Sequence, residues 1–161
     1  MHRKSTISIR VATAQDRPQI AAVVNAAFAI EKFLVGPRTD EDQLTRMMQK
    51  GLFLLARDSA GNLLASVYVE VRGSRGYLGM LAVDPSHQGQ GLGRIMVEAA
   101  ENSCRNQGCA SMDLTTLNLR PELPPFYRKL GYEETGIEEF RPSRPFREPV
   151  ECHCIVMSKA L

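Results

Sequence analysis

The chain has no tryptophan, and its aromatic content is only 6%. That leaves little material for the stacked aromatic platforms on which single-stranded nucleic acids are held. A charge surplus is missing too: 20 Lys and Arg stand against 18 Asp and Glu, a formal net charge of +2. Without basic residues concentrated on one surface there is no footprint for nucleic acid. Long apolar runs are absent, so no segment approaches a membrane span. The first residues, Met1-His2-Arg3-Lys4-Ser5-Thr6, carry charge but no apolar stretch long enough for a secretory signal. Cysteine is scarce: four irregularly spaced residues are too few to staple 161 residues. In Cys152-His153-Cys154, strand alternation sends the two cysteines to one face and His153 to the other. No metal is therefore expected, and the thiols read as reduced and partly buried. These absences leave the expectation of a cytoplasmic protein with no metal, no membrane span and no nucleic-acid partner.

What is present is ordinary in bulk: 43% apolar and 24% charged residues, enough for one domain spanning 1–161 with its own core. No repeat, low-complexity tract or linker divides it. Ser8 to Ala12 alternates as a first strand, and Asp16 is placed to cap a helix reaching Phe28. Thr39-Asp40-Glu41-Asp42 starts a second helix that ends near Lys50-Gly51. Phe53–Arg57 and Leu63–Arg72 form a hairpin across Ser59-Ala60-Gly61-Asn62, and Tyr77–Val83 is the fourth strand. A helix over Leu92–Asn106 follows, stopped by Gly108. Ser111–Leu117 is the fifth strand, Pro124-Pro125 open a short helix through Leu130, and Tyr132–Thr135 is a sixth strand. The proline-rich stretch Arg141–Pro149 is a loop, and Val150–Met157 closes the sheet. Strands and helices in this order give an α/β layered fold.

The most informative stretch is Val83-Asp84-Pro85-Ser86-His87-Gln88-Gly89-Gln90-Gly91-Leu92-Gly93-Arg94. It places three glycines at alternate positions between an apolar strand and an amphipathic helix. Glycine lets the backbone turn tightly and approach a bulky anion, because no Cβ intervenes. The free N–H groups of a helix's first turn, at the positive end of its dipole, then make a phosphate seat. The plain alternative is a glycine turn beside an ordinary amphipathic helix. A Gly-Lys-Ser/Thr ending is missing, which excludes a nucleotide-hydrolysing P-loop, and G-x-G-x-G is not the dinucleotide fingerprint.

Gln88-x-x-Gly91-x-Gly93 resembles the (Gln/Arg)-x-x-Gly-x-(Gly/Ala) signature of the GNAT superfamily of acyl-CoA N-acyltransferases. A second segment, Pro125-Phe126-Tyr127-Arg128-Lys129-Leu130-Gly131-Tyr132, is similar to that family's later helix-to-strand motif. The resemblance implies a GNAT fold: a mixed, mostly antiparallel central sheet of six to seven strands with helices on both faces. It further implies acetyl-CoA as co-substrate and N-acetyltransferase activity by direct attack in a ternary complex. Its pantetheine arm would insert between splayed fourth and fifth strands along the backbone of Leu81, Ala82 and Val83. Gln88, Gly89, Gln90, Gly91, Leu92, Gly93 and Arg94 would hold the pyrophosphate. Tyr127 matches a tyrosine near the thioester sulfur, where a phenol can protonate the leaving thiolate; the alternative is that it packs the short helix on the core. Asn118 matches an amide that bonds the cofactor arm or the backbone at the splay, or it is a turn-former.

The general base is the weak point of the pattern, since Tyr77–Leu81 holds no carboxylate. Glu31 and Glu70 are the nearest candidates, each of which also reads as a solvated surface carboxylate. His87 lies on the phosphate loop, away from the acceptor side. By the same resemblance, the segments Ala29–Arg38 and Phe140–Arg147 set the acceptor. Their arginines suit a carboxylate or phosphate, while Glu31 or Glu70 could pair with an ammonium, or these are solubilising charges. A small amino-acid-like or polyamine-like primary amine is the expected acceptor. The alternatives are a protein lysine or N-terminus, or an acyl-CoA sensor without turnover. The resemblance also allows a homodimer through sheet edges or the last strand.

Overall fold

The structure, a computed structural model, describes residues 6–161; the leader-free reading of Met1–Thr6 therefore lies almost wholly outside the described residues. Seven strands form one sheet: β1 (Ser8–Val11), β2 (Leu52–Arg57), β3 (Leu63–Arg72), β4 (Arg75–Val83), β5 (Ser111–Leu117), β6 (Glu133–Glu139) and β7 (His153–Ala160). Four α-helices accompany them: α1 (Arg17–Phe28), α2 (Glu41–Lys50), α3 (Leu92–Asn106) and α4 (Leu123–Lys129). The spatial order is β1-β2-β3-β4-β5-β7-β6. Every neighbouring pair is antiparallel except β4 and β5, which run parallel. Among the described residues no helix is long and apolar enough to cross a membrane.

The sheet has two apolar faces because its central strands bury residues of both parities. On one face, Val67, Val69 and Leu78 pack with Met96, Val97 and Ala100 of α3. On the other, Phe53, Leu55 and Tyr68 pack with Ile20 and Val24 of α1 and Leu44 of α2. Burying side chains of this size contributes about 1.5–3 kcal/mol each, so the two clusters dominate stability.

Three local features differ from the sequence reading. Asp16 does not cap α1: it closes a box with Thr13, accepting that residue's N–H at 2.7 Å, and pairs with Arg10 and Arg57. The last strand runs His153–Ala160 rather than Val150–Met157. Its register is set by β5, from Leu117↔Cys154 to Ser111↔Ala160, and by Asn118, whose Oδ1 accepts the His153 N–H at 2.7 Å. Cys152 thus lies before the strand, outside the alternation that the Cys-His-Cys reading assumed. The sixth strand runs Glu133–Glu139 rather than Tyr132–Thr135, ending four residues later than the sequence shows, because it is a solvated edge in which all seven residues are exposed. Glu133, Glu134, Glu138 and Glu139 on that edge would repel an identical strand laid against them.

Two guanidinium hydrogen bonds from Arg10 hold the Asp16 carboxyl well below its ordinary value, at about 2, although burial works against this. A carboxyl whose folded value is depressed stabilises the fold above its unfolded value, near 4, and loses that contribution as pH falls through about 2. Asp16→Asn should therefore be less stable than wild type at pH 6. The gap should close as pH approaches 2, as read from urea midpoints of both proteins across that range.

Candidate active site

The helix α3 opens on Gly91, which sits in the left-handed region at φ +80, with Gly89 likewise at φ +79. Both positions are strained for any residue with a Cβ, and both face open space: a Cβ built at either would meet nothing within 4 Å. The first intrahelical bond here is Ile95 N–H to Gly91 O at 3.1 Å. The N–H groups ahead of it are therefore left for another acceptor, as at any helix start. Gln88 folds back so that its Nε2 donates to Val83 O at 3.3 Å, and Arg94 is exposed and paired with Glu98 at 3.0 Å. Main-chain N–H groups thus gather at the positive end of α3, a seat whose geometry suits an anion.

The seat opens into a gap in the sheet. β4 and β5 pair only from Arg75↔Ser111 to Tyr77↔Asp113, pinned by the Arg75–Asp113 ion pair at 2.6 Å. Beyond Tyr77 the two strands separate, and β4 presents backbone groups from Leu78 to Val83 with no β5 partner. Such groups need an acceptor or donor from a ligand or water. A bulge lies within this stretch. The β3–β4 ladder passes from Tyr68↔Gly79 to Ser66↔Ala82, so Met80 and Leu81 together oppose Val67. Met80 adopts φ +50, the only non-glycine among the described residues with a positive φ.

The bulge also changes which side chains face where. A regular strand would keep Leu78, Met80 and Ala82 on one face. Instead Leu78 packs on the α3 side, while Met80 and Ala82 join the α1–α2 cluster and Leu81 and Val83 return to the α3 side. Leu81 and Val83 are half-buried members of the gap lining, whereas Ala82 is buried away from it. A strained, non-glycine backbone at an open sheet gap is the kind of outlier that functional sites carry.

A cavity of about 690 Å³ joins the glycine seat, the gap and a chamber beneath the chain segments that follow α1 and β6. Tyr127 lines it from α4 and is 6% exposed. Its ring packs edge-on against Phe126 and Tyr132, and its hydroxyl has no protein partner among the described residues. Burial pushes this phenol well above its ordinary value, with Arg120 partly opposing, so it stays protonated at neutral pH. Gln90 and Asn118 do not line the cavity. Asn118 is occupied in ordering the start of β7.

The two carboxylates have separate fates. Glu70 lies outside the cavity, held by the Tyr68 hydroxyl at 2.7 Å and Arg72 at 3.0 Å. Glu31 lines the chamber but is only 5% exposed. Arg120 and Arg144 reach its two oxygens at 2.9 and 2.8 Å. It thereby ties the end of α1 to the turn after β5 and to the loop before β7. That loop is zipped over the chamber by Val35 N–H to Pro145 O at 2.8 Å and Arg147 N–H to Phe33 O at 2.9 Å. Sequence reasoning missed Arg120 as a site residue; its place directly after the splayed fifth strand is the signal that could have marked it. Among the described residues no group of three or more His, Cys, Asp and Glu side chains could hold a metal ion.

Fold and site together define an α/β protein with a glycine-lined helix start opening into a split sheet. Comparison with known proteins agrees: residues 19–142 match the Acetyltransferase (GNAT) domain. The chain belongs to the GNAT acetyltransferase family. A mycothiol acetyltransferase of Propionibacterium freudenreichii subsp. shermanii is 30% identical over 141 residues, 82% of this chain. The chain spans 45% of that protein's length. The ribosomal-protein-S18-alanine N-acetyltransferase of Escherichia coli has the same fold, with a TM-score of 0.79 at 22% identity over 96% of this chain and 94% of that one. So does a GNAT superfamily phosphinothricin acetyltransferase of Sinorhizobium meliloti solved with acetyl-CoA, with a TM-score of 0.76 at 17% identity over 97% and 89%.

Proposed function

We propose that this chain, as a single domain, moves an acetyl group from acetyl-CoA to the nitrogen of a small primary amine, amino-acid-like or polyamine-like, bound with it in a ternary complex. The observation that carries this reading is one cavity lined at one end by Gly89, Gly91 and Gly93, along its middle by Leu81 and Val83, and beside these by Tyr127. Acetyl-CoA supplies the acyl group in activated, thioester form. The chain's part is to hold its diphosphate on the main-chain N–H groups between Gln88 and Arg94, and to align its arm along the unpaired backbone of β4. The bulge at Met80 interrupts the β3 ladder within that stretch, and an N–H there would stabilise charge developing on a carbonyl oxygen.

The amine must arrive neutral, because a free amine near pKa 10 is mostly protonated at pH 7. As its nitrogen bonds to the carbonyl carbon, the carbon–sulfur bond breaks and the Tyr127 hydroxyl gives its proton to the sulfur. The proton that nitrogen sheds leaves through backbone carbonyls and water and restores the phenol. Glu31, locked between two arginines, orders the chamber rather than receiving that proton, and Glu70 lies too far aside to do so. The mycothiol acetyltransferase relative supports a small acceptor. The loop zipped over the chamber favours it further, since a protein segment would have to thread beneath it.

The test is a thiol-release assay on the purified chain with acetyl-CoA and a panel of small primary amines. Amine-dependent release of the free thiol is expected. Calorimetric binding of acetyl-CoA without release on any small amine would overturn the small-acceptor reading. Mass spectrometry of acetylated proteins would then identify a protein acceptor, and its absence a sensor.

A further inference from the structure

Five arginines line the cavity, and four of them have carboxylate partners: Arg94 with Glu98, Arg120 with Glu31 and Glu122, Arg141 with Glu139, and Arg144 with Glu31. The fifth, Arg38, makes no ion pair and no side-chain hydrogen bond among the described residues. It is nonetheless positioned. Its guanidinium carbon stands 5.3 Å from the centroid of the Phe28 ring, a cation–π contact that leaves the N–H fork without a protein acceptor among the described residues. Thr39, next in the chain, is anchored by Asn25, which takes its N–H at 2.9 Å and donates to its carbonyl at 3.0 Å. Burial lowers Arg38 from the ordinary guanidinium range, and neighbouring Arg144 adds to this against the opposing pull of Glu31. A partly buried cation without an ion-pair partner among the described residues is better accommodated when a ligand supplies the opposite charge.

We infer that Arg38 is the specificity residue of the acceptor site and that the acceptor is a small amine bearing a carboxylate or phosphate, which this guanidinium grips. The inference rests on the acetyl-transfer reading and narrows it: of the two small-amine classes, it keeps the amino-acid-like one and excludes the polyamine-like one. Glu31 holds Arg120 and Arg144 in place, and together with Glu122, which also pairs with Arg120, it matches their charge, so Arg38 is the lining arginine left without a carboxylate among the described residues for bidentate recognition of an anionic group. A polycation would meet this uncompensated positive charge and be repelled.

Matched acceptors separate the charge from everything else. One pair is an α-amino acid and its amide; a second is an amino-sugar phosphate and its unphosphorylated parent; spermidine is the polycation. Turnover is followed by thiol release, and binding by calorimetry on protein saturated with CoA. The anionic member of at least one pair should be preferred by roughly 30-fold in kcat/KM and in affinity, with spermidine the poorest. Which pair shows the preference tells carboxylate from phosphate. In Arg38→Gln the preference should collapse to about 1, while Arg38→Lys keeps part of it, and the KM for acetyl-CoA stays as in wild type.

Equal use of charged and neutral members, efficient use of spermidine, or an undiminished preference in Arg38→Gln would overturn the inference and leave acetyl transfer standing. Selective binding of an anionic member without any transfer would instead overturn the transfer reading and leave the anion site standing. No binding and no transfer with any of the probes would overturn both.

Discussion

Gly91→Glu is expected to weaken coenzyme A binding by about 1,000-fold while leaving the protein folded. The new carboxylate would stand where the diphosphate must sit. Like charges about 4 Å apart in a partly screened surface site repel by roughly 4 kcal/mol, which is about three decades in Kd. The backbone adds strain, because position 91 holds φ +80 and a left-handed residue with a Cβ costs roughly 1–2 kcal/mol. An acidic side chain at a helix start regains part of that, about 0.3–1 kcal/mol, so thermal stability should fall only slightly. Gly91→Ala separates the two effects: it carries the strain without the charge and should lose far less affinity. Calorimetry with coenzyme A on both variants, beside their melting curves, gives the answer. Tight binding by folded Gly91→Glu would remove the diphosphate from this helix start, and the proposed function with it.

Tyr127→Phe should lower kcat by about 100-fold, in the range that a positioned general acid contributes, with the Kd for acetyl-CoA nearly unchanged. The argument rests on how the side chain is held. The ring is locked between Phe126 and Tyr132, and phenylalanine keeps that packing, so the substitution removes only the hydroxyl. Because burial keeps the phenol protonated, wild-type kcat should show no loss attributable to Tyr127 ionisation on the alkaline side through pH 10. Equal losses in kcat and kcat/KM would mark a group that acts in the transition state. An unaltered rate would return Tyr127 to the core.

The glycine-lined start of α3 was legible because its chemistry is written locally. Three alternate glycines between an apolar strand and an amphipathic helix state the turn, the close approach and the helix start at once. The strands and helices followed from alternation, helical spacing and turn residues, and the resemblance implied the mixed sheet of six to seven strands. The errors lie where solvent or a distant partner decides. The acidic, exposed β6 carries no burial pattern to mark its length, and the last strand takes its register from β5 and Asn118 rather than from its own residues. Glu31 looked like a solvated loop carboxylate because nothing near it in sequence is its partner. Arg120 and Arg144, which bury it, lie 89 and 113 positions away.

By itself, then, the amino-acid order determined the elements and the glycine turn that opens α3, because each depends on neighbours within a turn or two of chain. Only the tertiary structure decided the bulge at Met80, the parting of β4 from β5, and the charge balance of the chamber lined by Glu31 and Arg38. These depend on which distant residues meet: a strand slips one residue against its partner, a parallel pair stops after three, and four arginines find carboxylates while Arg38 does not.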